Sequence, residues 1–132
     1  MANMDTEDFA IEYVLLLERA AGREPQDTRK TGDPVDIVGP PRLIEVKAFG
    51  RSARGQAVPL EQRQVDALHA NPDSFFLYVV ENINEARSGL GNPTVLVLDG
   101  TKVLAMLATT KPVTTYWPTL RVADYNSAPR LT

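Results

Sequence analysis

Seven consecutive residues, SFFLYVV at 74–80, contain no charged side chain. A run this short and this apolar reads as a strand buried on both faces. Such a strand needs cover on each side of its sheet. The chain is therefore expected to be an α/β domain with a mixed central sheet flanked by helices. Its 132 residues suit one domain, able to bury about two thirds of the unfolded surface without covalent staples. The absence of Cys and the single His69 remove thiolate metal sites and His-rich zinc sites of the usual kind. The N-terminal segment opens with acids and interrupts its apolar run with charges, unlike a signal peptide or a membrane span. A cytoplasmic protein is the expectation.

The other elements follow from periodicity and punctuation. Residues 5–21 read as a helix capped by Asp5 or Thr6 and stopped by Gly22, with Phe9, Tyr13, Leu16, Leu17 and Ala20 on its apolar face. On that reading Glu12 borders the apolar face and Glu18 projects from the polar side. Residues 24–31 suit a poor first strand or a loop. Residues 35–38 and 42–49 make a hairpin about Gly39-Pro40-Pro41-Arg42, and 50–57 a flexible basic loop. Pro59 opens a second helix that Asn71-Pro72 ends. Residues 84–93 read as a loop. "TVLVLDGTKVLAML" reads as two strands about Asp99-Gly100. The tail, 110–132, is rich in Thr and Pro, with an edge strand expected at 119–123.

The second arm of the first hairpin, Leu43 to Phe49, is apolar except for Glu45 and Lys47. Alternation puts Leu43, Glu45, Lys47 and Phe49 on one face, and Ile44, Val46 and Ala48 on the other, toward a helix. With a four-residue loop at 39–42, Val38 faces Leu43 and Asp36 faces Glu45, with Cβ atoms about 4.5–5.5 Å apart. Two carboxylates that close repel each other and lose hydration beside apolar strands. A divalent cation between them resolves both costs. Mg²⁺ takes one or two carboxylates and leaves positions for water and phosphate oxygens. Lys47 can then orient an attacking water or stabilise charge developing on a phosphate.

Asp36, followed after eight residues by Glu45-Val46-Lys47, resembles the signature of the PD-(D/E)XK nuclease superfamily, the restriction-endonuclease-like fold. The order of elements is also similar: a helix with a Glu, a D-I strand, an I-E-V-K strand, a helix and a strand reading FFLYVV. Within that superfamily the chain looks closest to the Mrr-like group and to the domain at the C-terminus of protein NO VEIN, over about residues 7–83. The resemblance implies an αβββαβ core, here followed by a C-terminal hairpin and tail at about 94–132, all within one nuclease-like domain. It implies Asp36 and Glu45 as ligands of Mg²⁺ (or Mn²⁺), with a backbone carbonyl from Val46 and Lys47 as the catalytic lysine. Glu12 matches the helix glutamate that some members add to the site, and Gln64 the Glu or Gln of the second helix. Asp33-Pro34 offers a competing alignment; Asp33 lies before the expected strand, so Asp36 is preferred.

The implied reaction is hydrolysis of DNA phosphodiesters, in phage defence, restriction or DNA processing. The charge pattern fits a nucleic-acid partner and a solvated mixed-charge face equally well. Residues 19–63 hold nine of the fourteen Lys and Arg (Arg19, Arg23, Arg29, Lys30, Arg42, Lys47, Arg51, Arg54, Arg63) against six acids, despite a net charge of −3. Arg51 and Arg54, directly after the catalytic strand, with Arg42 and Lys30, are the expected phosphate contacts. A homodimer or a partner subunit is expected too, because cutting both strands needs two sites or two events. The rival readings are a catalytically weak module of the same fold, serving in DNA binding or assembly, and a structural ion pair at Asp36, Glu45 and Lys47. His69 reads as a surface or helix-end residue, and Tyr116 and Trp117 as core, interface or base-stacking residues.

Overall fold

The computed structural model describes the backbone of residues 2–132 and the side chains from Thr6 onward. In chain order the elements are α1 (Ala2–Ala20), β1 (Gln26–Asp27), β2 (Ile37–Gly39), β3 (Arg42–Ala48), α2 (Gln62–Ala70), β4 (Phe75–Glu81), α3 (Ile83–Arg87), β5 (Thr94–Asp99), α4 (Gly100–Leu107) and α5 (Val122–Ser127). The five strands form one sheet in the order β1-β2-β3-β4-β5. The β3–β4 pair is parallel and the other three pairs are antiparallel. This is the mixed α/β architecture expected of the sequence.

The apolar run of β4 divides between two cores. Tyr78 and Val80, with Phe76 at the margin, join Ile37, Ile44 and Val46 beneath Ala10, Ile11, Val14 and Leu15 of α1. Phe75, Leu77 and Val79 pack with Ala67 and Leu68 of α2 and Val103 of α4. Strand alternation sends successive residues to opposite faces, so a strand covered by helices on both must be apolar throughout.

Three local expectations change. The buried stripe of α1 is Ala10, Ile11, Val14, Leu15 and Glu18, whereas Leu16, Leu17 and Ala20 are exposed. Two overlapping stripes on α1 satisfy helical periodicity. The sheet takes the one whose small and β-branched residues let the helix lie close. Glu18 is thus buried, not solvent-facing. Second, Asp99-Gly100 starts a helix instead of turning a hairpin. Asp99 is the N-cap of α4, its carboxylate accepting from Lys102 N–H at 2.8 Å. Gly100 packs so tightly that a Cβ there would lie 1.9 Å from the Pro72 carbonyl oxygen. The segment 101–107 is therefore helix, placing Val103, Leu104 and Leu107 on the α2 side of the sheet. Third, 83–87 is helical, and 119–123 forms no strand but runs into α5.

The first hairpin keeps its expected register. Val38 pairs with Leu43, and the ladder continues from Gly39–Arg42 to Ile37–Ile44. Gly39 and Arg42 themselves pair, so only Pro40 and Pro41 turn the chain. At Asp36 the first arm leaves the ladder, and beyond that fork β3 continues alone on its β2 side.

Candidate metal-binding cleft

The fork between β2 and β3 opens into a cleft of about 520 Å³, lined by Thr6, Glu7, Asp36, Glu45, Val46, Lys47, Ala48, Gly50, Glu61, Gln64 and Asn84. Its floor is the part of β3 that β2 no longer covers. In a strand the N–H and C=O of one residue point to the same side. Ile44 bonds toward β2, so Val46, two residues on, presents its groups where β2 has already departed. Its N–H donates to Asp36 Oδ2 at 3.0 Å, and its carbonyl points to the same side.

Glu45 is 2% exposed. Its Oε2 lies 3.1 Å from Lys47 Nζ, while Oε1 is buried with no hydrogen-bond partner among the described residues. Burial, then the nearby Asp36 carboxylate, push the Glu45 carboxyl up to about 8, although Lys47 pulls the other way. Asp36, Glu45, Val46 and Lys47 are therefore brought together at one place, as the spacing implied. A half-satisfied buried carboxylate beside a second carboxylate fits a hard dication with oxygen ligands, completed by the Val46 carbonyl and water. Among the described residues no group of three or more His, Cys, Asp or Glu side chains is placed to hold a metal. The donor set is the sparse one that Mg²⁺ accepts, and Mn²⁺ suits the same oxygens.

The remaining candidates separate. Gln64 is buried and lines the cleft, its Oε1 accepting from Glu61 N–H at 2.9 Å across the first turn of α2. Glu12 is exposed and lies outside the cleft; the α1 carboxylate that lines it is Glu7. Residues five apart on a helix point about 140° away from each other, so α1 cannot offer both to one site. Glu7 continues the stripe Ile11, Val14, Glu18 by one turn, and the correct stripe would have found it. Glu61 is the N-cap of α2, two residues beyond Pro59, where the sequence alone opens the helix. Asn84 lines the cleft through α3, where a loop was expected.

The basic residues also divide. Arg51 and Arg54 are exposed on the loop that follows β3, as expected. The loop backbone is anchored: Asn82 N–H donates to the Arg51 carbonyl at 3.0 Å and Ala53 N–H to Glu81 Oε1 at 2.8 Å. Lys30 is exposed in the segment between β1 and β2. Arg42 lies outside the cleft and is engaged within the fold. It sits at the opposite end of β3 from Lys47, donating to the Tyr78 hydroxyl at 2.6 Å with its guanidinium 4.1 Å from the centre of the Phe76 ring. Arg23 and Arg29 are held by Glu18 and by Asp27 and Asp8. His69 is exposed in the last turn of α2, as expected, and Tyr116 and Trp117 belong to no core.

Fold and cleft together define a mixed α/β domain with a carboxylate–lysine site at a fork in its sheet. The chain belongs to the family described as Protein NO VEIN, C-terminal, whose model matches residues 6–91. That span runs from the cleft-lining end of α1 to the turn after α3, and so contains every residue of the cleft. No curated protein and no solved structure matches the chain significantly. Among the described residues no helix is long and apolar enough to cross a membrane.

Proposed function

We propose that this domain is a Mg²⁺-dependent nuclease hydrolysing DNA phosphodiester bonds. The observation that carries this reading is the Glu45 carboxylate, buried with one oxygen unpartnered and set between Asp36 and Lys47. Such a group is costly to a fold that uses it only for packing. A dication held by the Asp36 and Glu45 carboxylates and the Val46 carbonyl would remove the cost. The resemblance of the Asp36…Glu45-Val46-Lys47 pattern to PD-(D/E)XK nucleases, and membership of the NO VEIN C-terminal family, support the same chemistry.

When bound, the ion supplies a Lewis acid for the phosphoryl oxygen and lowers the pKa of a coordinated water. The protein does the rest by position. Lys47, tethered by Glu45, presents a positive charge to the attacking water or to the non-bridging oxygens as negative charge accumulates there. Gln64 has its carbonyl oxygen occupied by the helix start, leaving its amide N–H groups to donate to substrate or water. Glu7 supplies the α1 carboxylate assigned to Glu12 on sequence, and Arg51, Arg54 and Lys30 contact backbone phosphates outside the cleft.

The test is cleavage of supercoiled plasmid, with thermal melting alongside, for the wild type, Glu45→Gln and Lys47→Ala, with and without Mg²⁺ or Mn²⁺. The wild type should cut only with the ion and be stabilised by it, following RT ln(1 + [L]/Kd). Glu45→Gln should lose both effects. Lys47→Ala should keep the metal-induced shift and lose cleavage by about 10²-fold or more. DNA binding without cleavage at saturating metal would replace this reading with that of a binding or assembly module. Melting that ignores divalent ions would leave Asp36, Glu45 and Lys47 as a structural ion pair.

A further inference from the structure

Two unsatisfied apolar features lie within one stretch of chain. The first is β5, the last strand of the sheet. One of its edges pairs with β4, and among the described residues no strand pairs with the other. It is six residues long, and Leu96 and Val97 are 43% and 50% exposed. An apolar edge strand of this kind is a template for another strand, and proteins usually cover or charge it. The second is the segment beyond α4. Every residue from 108 to 132 is exposed. Tyr116 and Trp117 are 85% and 88% exposed, and Val113, Leu120 and Val122 also face solvent. Its side-chain hydrogen bonds stay local, from Thr109 and Thr110 to the Met106 carbonyl, from Arg130 to the Tyr125 and Ala128 carbonyls and from Ser127 to the Asp124 carbonyl.

The two features match. Between Pro112 and Pro118 lies Val113-Thr114-Thr115-Tyr116-Trp117, five residues that all favour strands. They span about 17 Å when extended, against about 20 Å for β5. The flanking prolines end the pairing at each side, since proline has no N–H for a ladder. Yet the segment forms no strand and pairs with no edge among the described residues.

We propose that residues 108–132 are an exchange arm, and that residues 113–117 add as a sixth strand to the bare edge of β5 in a second copy of the chain. Each copy offers one arm and one β5 edge, so a two-fold pair satisfies all four. Tyr116 and Trp117 can each bury about 150–250 Å². Two arms with the strand faces they cover reach the 1,200–2,000 Å² of a specific interface, in order of magnitude. Aliphatic residues on both surfaces favour protein over nucleic acid as the occupant, since a phosphate backbone would leave Leu96 and Val97 uncovered. The assignment stands apart from the proposed nuclease activity.

The absence of Cys allows a direct test on the full chain. Mass is measured by light scattering at high micromolar concentration for the wild type, Val97→Lys and the double variant Tyr116→Ala/Trp117→Ala, with circular dichroism to check folding. Differently tagged chains carrying Val97→Cys and Thr115→Cys are mixed and joined with a short bismaleimide. The expected result is a two-chain mass for the wild type, a one-chain mass for both surface variants, and a cross-link between the two tags. A one-chain wild type overturns the proposal, whether its arm variants bind DNA less tightly or not. So does a two-chain mass that survives both variants, or a mixture that gives no cross-link between the Val97→Cys and Thr115→Cys chains.

Discussion

Glu18 and Glu45 are both 2% exposed, and the sheet treats them in opposite ways. At the Glu18 end, Arg23 Nε and Nη2 donate to the carboxylate at 2.6 and 2.7 Å, and the Tyr78 hydroxyl donates at 3.0 Å. Burial pushes this carboxyl up, but the Arg23 and Tyr78 hydrogen bonds and the Arg23 and Arg42 charges outweigh it, so its pKa is lowered. At the Glu45 end there is one partner, Lys47, one unpartnered oxygen and a neighbouring acid. The first arrangement locks α1 to β4. The second keeps a carboxyl whose charged form is unfavourable in the floor of a cleft. Burial alone therefore says little about function; the hydrogen-bond partners separate a structural carboxylate from one set aside for a ligand.

The largest expected effect tests that contrast. Glu18→Ala leaves Arg23 and Tyr78 without their acceptor and should destabilise the fold by about 3 kcal/mol. Metal-free Glu45→Gln removes a strained charge and should be neutral or stabilising at pH 8. Urea unfolding of the two variants measures both, and equal losses would dissolve the distinction.

The pH dependence of metal-free stability should show the same opposition. Glu18, with a lowered folded pKa, contributes stability that is present above its unfolded value of about 4.5 and lost as pH falls. Glu45, raised to about 8, is protonated in the folded state at pH values where the unfolded chain has already released its proton. Its contribution therefore turns unfavourable as pH rises from about 4.5 to about 8. Melting scans should show a maximum on the acid side of neutrality, and Glu45→Gln should flatten the alkaline limb only. Metal binding requires the deprotonated carboxylate, so the Mn²⁺-induced melting shift should grow from pH 6 to pH 8. A shift that does not change with pH would place the ion elsewhere.

The two ends of β3 should also differ toward DNA. Arg51→Ala with Arg54→Ala should lower the slope of log affinity against log salt by about 0.9 for each phosphate no longer neutralised. Arg42→Ala, at the Glu18 end, should leave the slope unchanged while lowering stability. The smallest effect concerns α1. Glu7→Gln should reduce cleavage several-fold, and Glu12→Gln should leave both cleavage and melting at wild-type values. A Glu12 effect as large as that of Glu7 would restore Glu12 as the α1 carboxylate of the site.

Much of the fold was legible because it depends on neighbours in the chain. The uncharged β4 run announced two cores, and alternation along β3 separated Ile44 and Val46 from Glu45 and Lys47. The hairpin register followed from turn length, which brought Asp36 to Val46 and Glu45. The departures share a cause. On α1, two stripes were equally periodic, and choosing between them required Tyr78, 60 residues away from Glu18. The choice moved the cleft carboxylate from Glu12 to Glu7. Asp99-Gly100 serves a hairpin turn and a helix start equally well, and Pro72 packed against Gly100 decided it. The sequence by itself determined the element types of the core and the spacing of Asp36, Glu45 and Lys47, because short-range sterics and side-chain period are local properties. Only the tertiary structure decided which carboxylates were paired, orphaned or exposed, because the energy of a charge depends on the groups folding brings around it.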